Sequence, residues 1–489
     1  MSFIPHFKSL NNDAHQPASY LQIVSIIRNS IEQGQLLAGE KLPSSRVMAN
    51  RFSVGRQTLI NALNELIAQG WISSRQRVGY FVAEHLPVSH SHQLPSLPQS
   101  KTMKWHFNDR CDTLFSEPDQ EYQYNFVAGT PDINRFPFAE FKRHFAQVMN
   151  YPLRSDFSYG NAAGQPQLLS SMADYLRRSR NITARPLLIS NGSQDAIYMI
   201  SRLLLGVGDK VAVDQLGYQS AWSAFKESGA ALVKIASDDE GLDPDELAKA
   251  LATNRIRLIY LTPQYQYPTT VTLSTERRNR IYQLAVKYGV PILEDDYDHE
   301  YHYQGQPLPP MASEDPAQLV IYIGTLSKIL YPGVRIGFIS APLPVHQALL
   351  KLRQTMSHKN ESMFQRTLAL WMIDGGFERH LRRSSQLYKK RLANTDDTLR
   401  QIQRSNINDK LKLEYHLPAG GLGLWLRVNV DCKLLTNKAR SQGILIQDQS
   451  FFSDTPIMNS NYLRLGFARQ NTSCQQEGIE KLMLIAGNL

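Results

Sequence analysis

The chain has 489 residues, of which 42% are hydrophobic and 20% charged, with a net charge of +9 and three widely spaced cysteines. These values predict two to four folded domains and exclude a disordered chain, a disulfide framework, a zinc site and, since no apolar run reaches about 18 residues, a membrane-spanning helix. The basic charge favours an anionic partner such as nucleic acid, and the cysteines and the lack of a secretory signal predict a cytoplasmic location.

The first predicted domain, residues 17–84, is a small helical unit that ends in a hairpin. Apolar residues at helical spacing, stop signals such as Gly34 and short alternating stretches define its elements. In chain order these are a helix from Tyr20 to Ile31, a helix capped by Ser44 or Ser45, a turn at 53–55, a helix from Arg56 to Gln69, and strands at 71–73 and 80–82.

Residues 85–120 differ in composition, because they are rich in Pro, Ser, His and Gln and lack apolar periodicity. They predict a linker. In residues 121–489, apolar runs alternate with helical stretches, which predicts an α/β domain with a mostly parallel sheet and, over roughly the last hundred residues, a smaller α+β lobe. The strand-like runs include 211–213, 258–261, 292–293 and 320–323.

The order helix, turn, helix and hairpin is typical of a winged helix-turn-helix, whose second helix enters the major groove of DNA. That helix begins with Arg56, Gln57 and Thr58. Arg can pair with guanine, Gln with adenine, and Thr can meet a phosphate or a thymine methyl group. An ordinary solvated basic face is the alternative. Further candidates for DNA contact, from the preceding helix and the wing, are Ser44, Arg46, Arg77 and Gly79.

Three segments resemble the winged helix of the GntR family: LPSSR at 42–46, SVGRQTLINALNELIAQGWI at 53–72 and VGYFV at 78–82. The wing departs from the family pattern G-x-G-T-F, since it is R-V-G-Y-F here. The resemblance implies that DNA is touched by Arg46, Arg56, Gln57, Thr58 and Gly79.

A second group of residues suits a phosphorylated pyridine aldehyde. Lys328 lies in GTLSKILYPGVRIG at 324–337, and a lysine that joins an aldehyde needs surroundings that lower its pKa. Arg335 can grip a phosphate with two parallel hydrogen bonds, and Thr325 and Ser327 offer hydroxyl groups.

Carboxylates end a predicted strand in ILEDDYDHEY at 292–301. An aspartate at such a strand end can keep a pyridine nitrogen protonated. We select Asp295 for this role, with Tyr297 reaching the ring hydroxyl. A solvated acidic loop and a metal site are the alternatives, and we expect no metal.

Further segments complete this group. SNGSQDAI at 190–197 leaves a strand and enters a helix, so that its backbone amides can cradle a phosphate. Arg464, in NYLRLGFA, can grip a carboxylate. The remaining candidates for cofactor binding are Gly192, Ser193 and Gln194 in the cradle, Tyr218 as a stacking partner of the ring, Tyr159 in YGNAAG, and Tyr267 in QYQYPTT.

These segments, in this order, resemble the fold-type I aminotransferases, and more closely the aminotransferase-like domain of MocR-type regulators. FERHLRRSSQLYKKRL at 377–392 also matches a helix of that group. The resemblance implies pyridoxal 5′-phosphate (PLP) as the cofactor and a phosphate-binding tyrosine from the partner subunit, matched here by Tyr159. The other implied roles are Lys328 for the Schiff base, Asp295 for the ring nitrogen, Arg335 and Ser327 for the phosphate, and Arg464 for the ligand carboxylate.

The chain departs from the family at several positions. Q-Y-Q-Y-P-T-T replaces S-H-Q-Y-P-T-G at 264–270, D-Q-L-G-Y replaces E-D-P-G-Y at 214–218, and G-L-G-L replaces G-L-H-L at 421–424. Some members also place an Arg two residues after the stacking tyrosine, where this chain has Ser220. These changes leave PLP binding intact but put γ-aminobutyrate, an effector in that group, in doubt.

The main hypothesis is a homodimeric transcription regulator. It combines a winged helix-turn-helix, which binds a double-stranded DNA operator, with a fold-type I PLP-dependent aminotransferase-like domain that has a large parallel-sheet α/β lobe and a small α+β lobe. A small amine or amino acid would be its effector. Two alternatives stay open: an active aminotransferase that carries a DNA-binding domain, and a regulator for which PLP is itself the signal.

Overall fold

The computed structural model describes residues 20–87, 121–127, 129–405 and 411–489. The chain divides into two compact units, residues 1–107 and 108–489. The predicted linker lies outside the described residues except for residues 85–87, and the predicted domain boundaries stay a prediction. None of the helices in the described ranges combines the length and the hydrophobicity that crossing a bilayer requires.

The first unit folds into three helices and a two-stranded antiparallel hairpin, as predicted, with residues 17–19 outside the described part. Each predicted strand overlaps the observed one, and its ends lie within two residues of the observed ends. The elements are α1 (Tyr20–Glu32), α2 (Ser45–Arg51), α3 (Arg56–Ala68), β1 (Ile72–Arg75) and β2 (Gly79–Val82).

Local signals account for the ends of these helices. Ser44 caps α2, because its hydroxyl accepts a hydrogen bond from the Val47 backbone N–H at 3.4 Å. Ser53 has a left-handed φ of 53° in the turn before α3. Gly70 follows α3 with a φ of 79°, a conformation that glycine adopts without strain.

The second unit contains one large and several small sheets. Its strands are β3 (Tyr124–Asn125), β4 (Leu187–Ser190), β5 (Lys210–Asp214), β6 (Ala231–Ile235), β7 (Ser237–Asp238), β8 (Gly241–Leu242), β9 (Ile256–Leu261), β10 (Ile292–Asp296), β11 (Val320–Thr325), β12 (Gly337–Ser340), β13 (Leu413–Tyr415), β14 (Gly423–Val428), β15 (Ile444–Leu445), β16 (Gln447–Asp448) and β17 (Tyr462–Gly466).

The seven strands of the large sheet follow the order β4-β12-β11-β10-β9-β5-β6. Strand β12 runs antiparallel to both neighbours, and the other adjacent pairs are parallel. The four strand-like runs predicted from the sequence lie in β5, β9, β10 and β11. The prediction of a mostly parallel sheet is therefore confirmed.

Helices cover both faces of this sheet, as a parallel sheet requires. The helices of the unit are α4 (Phe138–Asn150), α5 (Pro166–Arg180), α6 (Ser193–Leu204), α7 (Gln219–Glu227), α8 (Pro244–Thr253), α9 (Thr275–Tyr288), α10 (Leu343–Ser357), α11 (Met363–Ile373), α12 (Gly376–Arg404), α13 (Cys432–Ser441) and α14 (Thr472–Gly487). One apolar core joins α4, α5, α8, α9 and α11 to the sheet, and the other joins α6, α7 and α10.

The small lobe is the predicted α+β structure. Its antiparallel sheet has the order β13-β14-β17-β16 and shares a core with α12, α13 and α14. Strand β3, near the start of the unit, pairs with β15 and belongs to this lobe, and Gly466 in β17 donates its N–H to the Phe126 carbonyl at 2.8 Å. The lobe thus includes residues from both ends of the unit.

Removing side-chain volume from the core of the first unit tests its packing. Leu63 in α3 is fully buried, whereas Leu37 is 65% exposed. We expect Leu63→Ala to reduce the free energy of unfolding of this unit by about 2–5 kcal/mol, because it leaves a cavity. Denaturant-dependent hydrogen exchange at the α3 amides of the full chain measures the loss. The control Leu37→Ala should change it little, and equal effects of the two variants would contradict the packing described.

Candidate functional site

The carboxyl ends of the parallel strands bring most of the predicted cofactor residues to one edge of the large sheet. Asp295 is the penultimate residue of β10, Thr325 ends β11, and Gly192 follows β4 as the residue before α6. Lys328 comes three residues after β11. In open α/β sheets this edge is where ligands bind.

An anion-binding corner forms where β4 enters α6. Gly192 has a φ of 82°, and a Cβ atom placed there would lie 3.3 Å from the Arg335 guanidinium carbon. Arg335 is exposed, and its Nη2 donates to the Asn191 carbonyl oxygen at 2.8 Å. A side chain at this position would crowd the arginine and strain the backbone, so glycine suits this place beside the helix N-terminus, where backbone N–H groups also attract an anion.

Thr325, at the end of β11, and Ser327, two residues later, contribute hydroxyl groups to this corner. The Thr325 hydroxyl donates to Ser327 Oγ at 3.0 Å and accepts from the Ser327 N–H at 3.2 Å. Both side chains are buried. Ser193 and Gln194 form the first turn of α6, and the Gln194 side chain donates to the Ser220 carbonyl at 2.8 Å. The corner therefore offers a guanidinium, hydroxyls and helix amides, a donor set that suits a phosphate group.

Three consecutive buried carboxylates in β10 have different partners because side chains alternate across a strand. Glu294 accepts from the Met311 and Ala312 N–H groups. On the same side of the strand, Asp296 accepts from the Tyr322 hydroxyl at 2.6 Å and lies near Arg180 and His299.

Asp295 points to the other side and has one oxygen to spare. Its Oδ2 accepts from the Tyr260 hydroxyl at 2.8 Å, while no partner for Oδ1 is present in the described part of the chain. Burial raises the pKa of this carboxyl to about 7. A buried acceptor without a donor is unfavourable, and the N–H of a protonated pyridine would satisfy it.

The amine of Lys328 lies close to the backbone of Gly129, since a Cβ atom at Gly129 would stand 2.9 Å from the lysine Nζ. Gly129 has a φ of 83°. Burial lowers the pKa of the Lys328 amine, and the charge of Asp298, followed by that of Asp295, acts in the opposite direction. A lowered pKa makes an amine a better nucleophile at neutral pH.

Arg464 brings a buried positive charge from the small lobe. It is 1% exposed, and among the described residues its Nε and Nη1 have no hydrogen-bond partner. Its guanidinium carbon lies 4.0 Å from the centre of the Tyr267 ring, and its β-sheet neighbours are Trp425 and Gln447. A buried guanidinium with free donors suits a carboxylate ligand.

The Tyr267 ring beside this charge belongs to a group of aromatic side chains. The Tyr267 ring meets the rings of Tyr218, Tyr297 and Phe452 edge-on, at centroid distances of 5.7, 5.8 and 5.4 Å. The Tyr297 hydroxyl donates to the Tyr265 carbonyl oxygen at 2.8 Å, so that toward a ligand it is left as an acceptor.

One predicted residue is not brought to this edge within the chain. Tyr159 is 77% exposed, and its ring lies 4.9 Å from that of His358. Conversely, sequence reasoning missed Tyr260, Gly129 and Asp298. Only Asp298 had a signal, because it lies in the same acidic segment as Asp295.

The predicted DNA-contacting residues lie on the first unit. Arg56 and Gln57 are exposed in the first turn of α3, and Thr58 is half-buried beside them. The Gln57 side chain donates to Asn61 Oδ1 at 3.2 Å. Ser44, Arg46 and Arg77 are exposed and Gly79 is half-buried. The exposed N-terminal turn of α3 is the geometry that a recognition helix needs.

Comparison with known families identifies both units. The family described as bacterial regulatory proteins, gntR family, matches residues 19–82, and the family aminotransferase class I and II matches residues 122–482. The probable rhizopine catabolism regulatory protein MocR of Rhizobium meliloti is 30% identical over 97% of this chain and 94% of its own length. The chain belongs to the MocR-type regulators of the GntR superfamily.

Similarities to two further proteins support the assignment of this MocR-type regulator. The HTH-type transcriptional regulator TauR of Rhodobacter capsulatus is 27% identical over 94% of each chain. The multiple substrate aminotransferase of Thermococcus profundus shares the fold of the second unit, with a TM-score of 0.69 and 25% identity over 76% of this chain and 92% of that chain. The protein is therefore a transcription regulator with an aminotransferase-like domain, and its GntR family implies DNA binding. The alternative of an active aminotransferase that carries a DNA-binding domain is not favoured.

The raised pKa of Asp295 makes the stability of this MocR-type regulator depend on pH. Because the folded protein prefers the protonated carboxyl, this stabilisation is present at low pH and is lost as the pH rises through about 7. Without cofactor, the thermal stability of Asp295→Asn relative to that of the native chain should increase as the pH rises from about 5 to about 8. Asp239→Asn, at an exposed site, is the control. A difference between Asp295→Asn and the native chain that does not change with pH would contradict the burial argument.

Proposed function

We propose that this regulator is a homodimer that binds PLP and a small amine in its second unit and a duplex operator through its first unit. The observation that carries the proposal is the buried Oδ1 of Asp295, which has no hydrogen-bond partner among the described residues and lies at the sheet edge that also holds Lys328 and the anion-binding corner. PLP has a ring N–H, an aldehyde and a phosphate, and thus matches all three features.

When bound, PLP would supply an aldehyde with which primary amines combine reversibly. Lys328 would provide the first amine, and Asp295 would accept the hydrogen bond of the ring nitrogen. The phosphate would be held by Arg335, Thr325, Ser327 and the backbone N–H groups of Gly192, Ser193 and Gln194, while Tyr218, Tyr267 and Tyr297 would contact the ring.

A second copy of the chain would complete the phosphate site. Residues 149–159 expose several large apolar side chains, which is unusual for a surface that faces water. We infer that they form part of the dimer interface and that Tyr159 reaches the phosphate of the partner site. The exposed side chains are Met149, Tyr151, Leu153, Phe157 and Tyr159, between 43% and 77% accessible.

The effector would carry both an amine and an acid group. Its amine would replace that of Lys328 on the cofactor, and Arg464 would pair with its carboxylate. Ser220 offers no positive charge of its own for a second carboxylate. Because a ligand shifts an equilibrium only when it binds one arrangement better than another, the new ion pair at Arg464 and the release of Lys328 are the differences that would act on DNA binding.

An active aminotransferase and a sensor of PLP alone are the alternatives. Repeated conversion of amino donors and keto acids at ordinary enzyme rates would favour the first. A change in DNA affinity on titration with PLP, without any amine, would favour the second.

Loss of the amine at position 328 tests the cofactor assignment. We expect the native chain to acquire a visible absorption band with PLP, and borohydride to fix the cofactor on Lys328, because that amine lies at the site. Lys328→Ala should lose the band and still fold, which circular dichroism would show. Lys249→Ala, at an exposed lysine in α8, is the control. Fixation on another lysine would refute the assignment.

Loss of one guanidinium tests the DNA interface. Arg56→Ala should weaken binding to duplexes that the native chain selects from a random pool by about 1–3 kcal/mol if the side chain pairs with a base. Arg28→Ala removes the same charge from α1, where Arg28 lies near Glu32 at 3.9 Å, and should have a smaller effect. Titration by fluorescence anisotropy at fixed salt compares the two. Equal losses would assign Arg56 a non-specific role.

A further inference from the structure

Asp195, in the first turn of α6, places a carboxylate beside the anion-binding corner, and the proposed function gives it no role. Its Oδ2 accepts from the Asn191 N–H at 2.8 Å. The carbonyl oxygen of Asn191 accepts from Arg335 Nη2, also at 2.8 Å. A single residue therefore separates this carboxylate from the guanidinium that would hold the phosphate.

A carboxylate in this place opposes the binding of a phosphate in two ways. It repels a second anion directly. It also interacts with the positive end of the α6 dipole, on which an anion at the corner would depend. The corner can attract a phosphate fully only if the charge of Asp195 is compensated by a positive charge.

Arg353 of α10 supplies this positive charge. Its Nη2 donates to Asp195 Oδ2 at 2.6 Å. Arg353 is 1% exposed, and water and salt screen a buried pair of charges only weakly. The ion pair therefore cancels most of the negative charge that Asp195 would otherwise present to the corner.

Other hydrogen bonds fix the Arg353 side chain in this position. Its Nη1 donates to Asn360 Oδ1 at 3.1 Å and to Ser357 Oγ at 3.4 Å. The Asn360 side chain in turn donates to the Ile189 carbonyl oxygen in β4 at 3.0 Å. The guanidinium is thus tied to the strand that leads into the anion-binding corner.

A second carboxylate near the corner has different surroundings. Glu361 lines a cavity together with Arg335. It is exposed, and it accepts from the Met363 and Phe364 N–H groups at the start of α11. Because water screens an exposed charge, Asp195 is the acid whose compensation matters more for an anion at the corner.

We propose that Arg353 is a positioning residue that neutralises Asp195 and thereby allows the corner to bind a dianion such as the phosphate group of PLP. It acts through Asp195 and Asn191 on the place beside Arg335. This inference deepens the proposed function and rests on it. Its consequence is that the charge at position 353 affects the binding of the phosphate and leaves the binding of the ring and the aldehyde unchanged.

A comparison of PLP with pyridoxal, which lacks the phosphate, isolates this effect. Absorbance titrations of the full chain give the dissociation constant of pyridoxal divided by that of PLP. We expect Arg353→Gln to lower this ratio about tenfold, because Asp195 is left buried without its counter-charge. The double variant Asp195→Asn/Arg353→Gln should restore most of the ratio, since both side chains are then neutral.

Arg177→Gln is the control, because it removes a guanidinium from an exposed ion pair with Asp174 in α5. It should leave the ratio unchanged. An unchanged ratio in a folded Arg353→Gln variant would overturn the proposal. A double variant with a ratio as low as that of Arg353→Gln would do the same, because loss of the partner charge cannot rescue a purely structural role.

If Arg353→Gln does not fold, Asp195→Asn alone decides. It keeps an acceptor for the Asn191 N–H and leaves the charge of Arg353 in excess, so the ratio should rise about threefold or more. An unchanged or lower ratio would refute the inference. A native chain that binds pyridoxal as tightly as PLP would instead refute the phosphate site of the proposed function, and this inference with it.

Discussion

The site depends on how three consecutive carboxylates are buried in one strand. Alternation along β10 sends Glu294 and Asp296 to one side, where Glu294 accepts from two backbone amides and Asp296 lies beside the cations of the Arg180 cluster. Asp295 faces the other side and keeps one acceptor without a donor. Asp295 is therefore the acid of this strand that faces the sheet edge of Lys328, and a buried acceptor there favours a ligand that brings an N–H.

The same principle extends to the small lobe. In the part of the chain that the structure describes, two donors of Arg464 and one acceptor of Asp298 have no hydrogen-bond partner. With Asp295 they give the second unit buried polar groups of both signs whose hydrogen-bonding capacity is not filled. A ligand that pairs with all of these groups must carry both positive and negative charge. Because the chain belongs to a family of transcription regulators, recognition of such a ligand would serve regulation.

Much of this arrangement could be predicted from the sequence, because it depends on local signals. The periodicity of α3 and the apolar runs of β9, β10 and β11 located these elements within a few residues. Asp295 is selected because it lies at the end of a predicted strand, the family resemblance implies the same residue, and strand alternation supplies the physical reason.

Other features depend on contacts between distant segments and had no local signal. They include the hydroxyl of Tyr260 on Asp295, the approach of Gly129 to Lys328, and the hydrogen bond from Tyr297 to the Tyr265 carbonyl. The strand pair β3–β15 is a further example, and it has a mechanical effect. The first described strand of the second unit thus belongs to the lobe that carries Arg464, so that any displacement of that lobe by a ligand also moves β3.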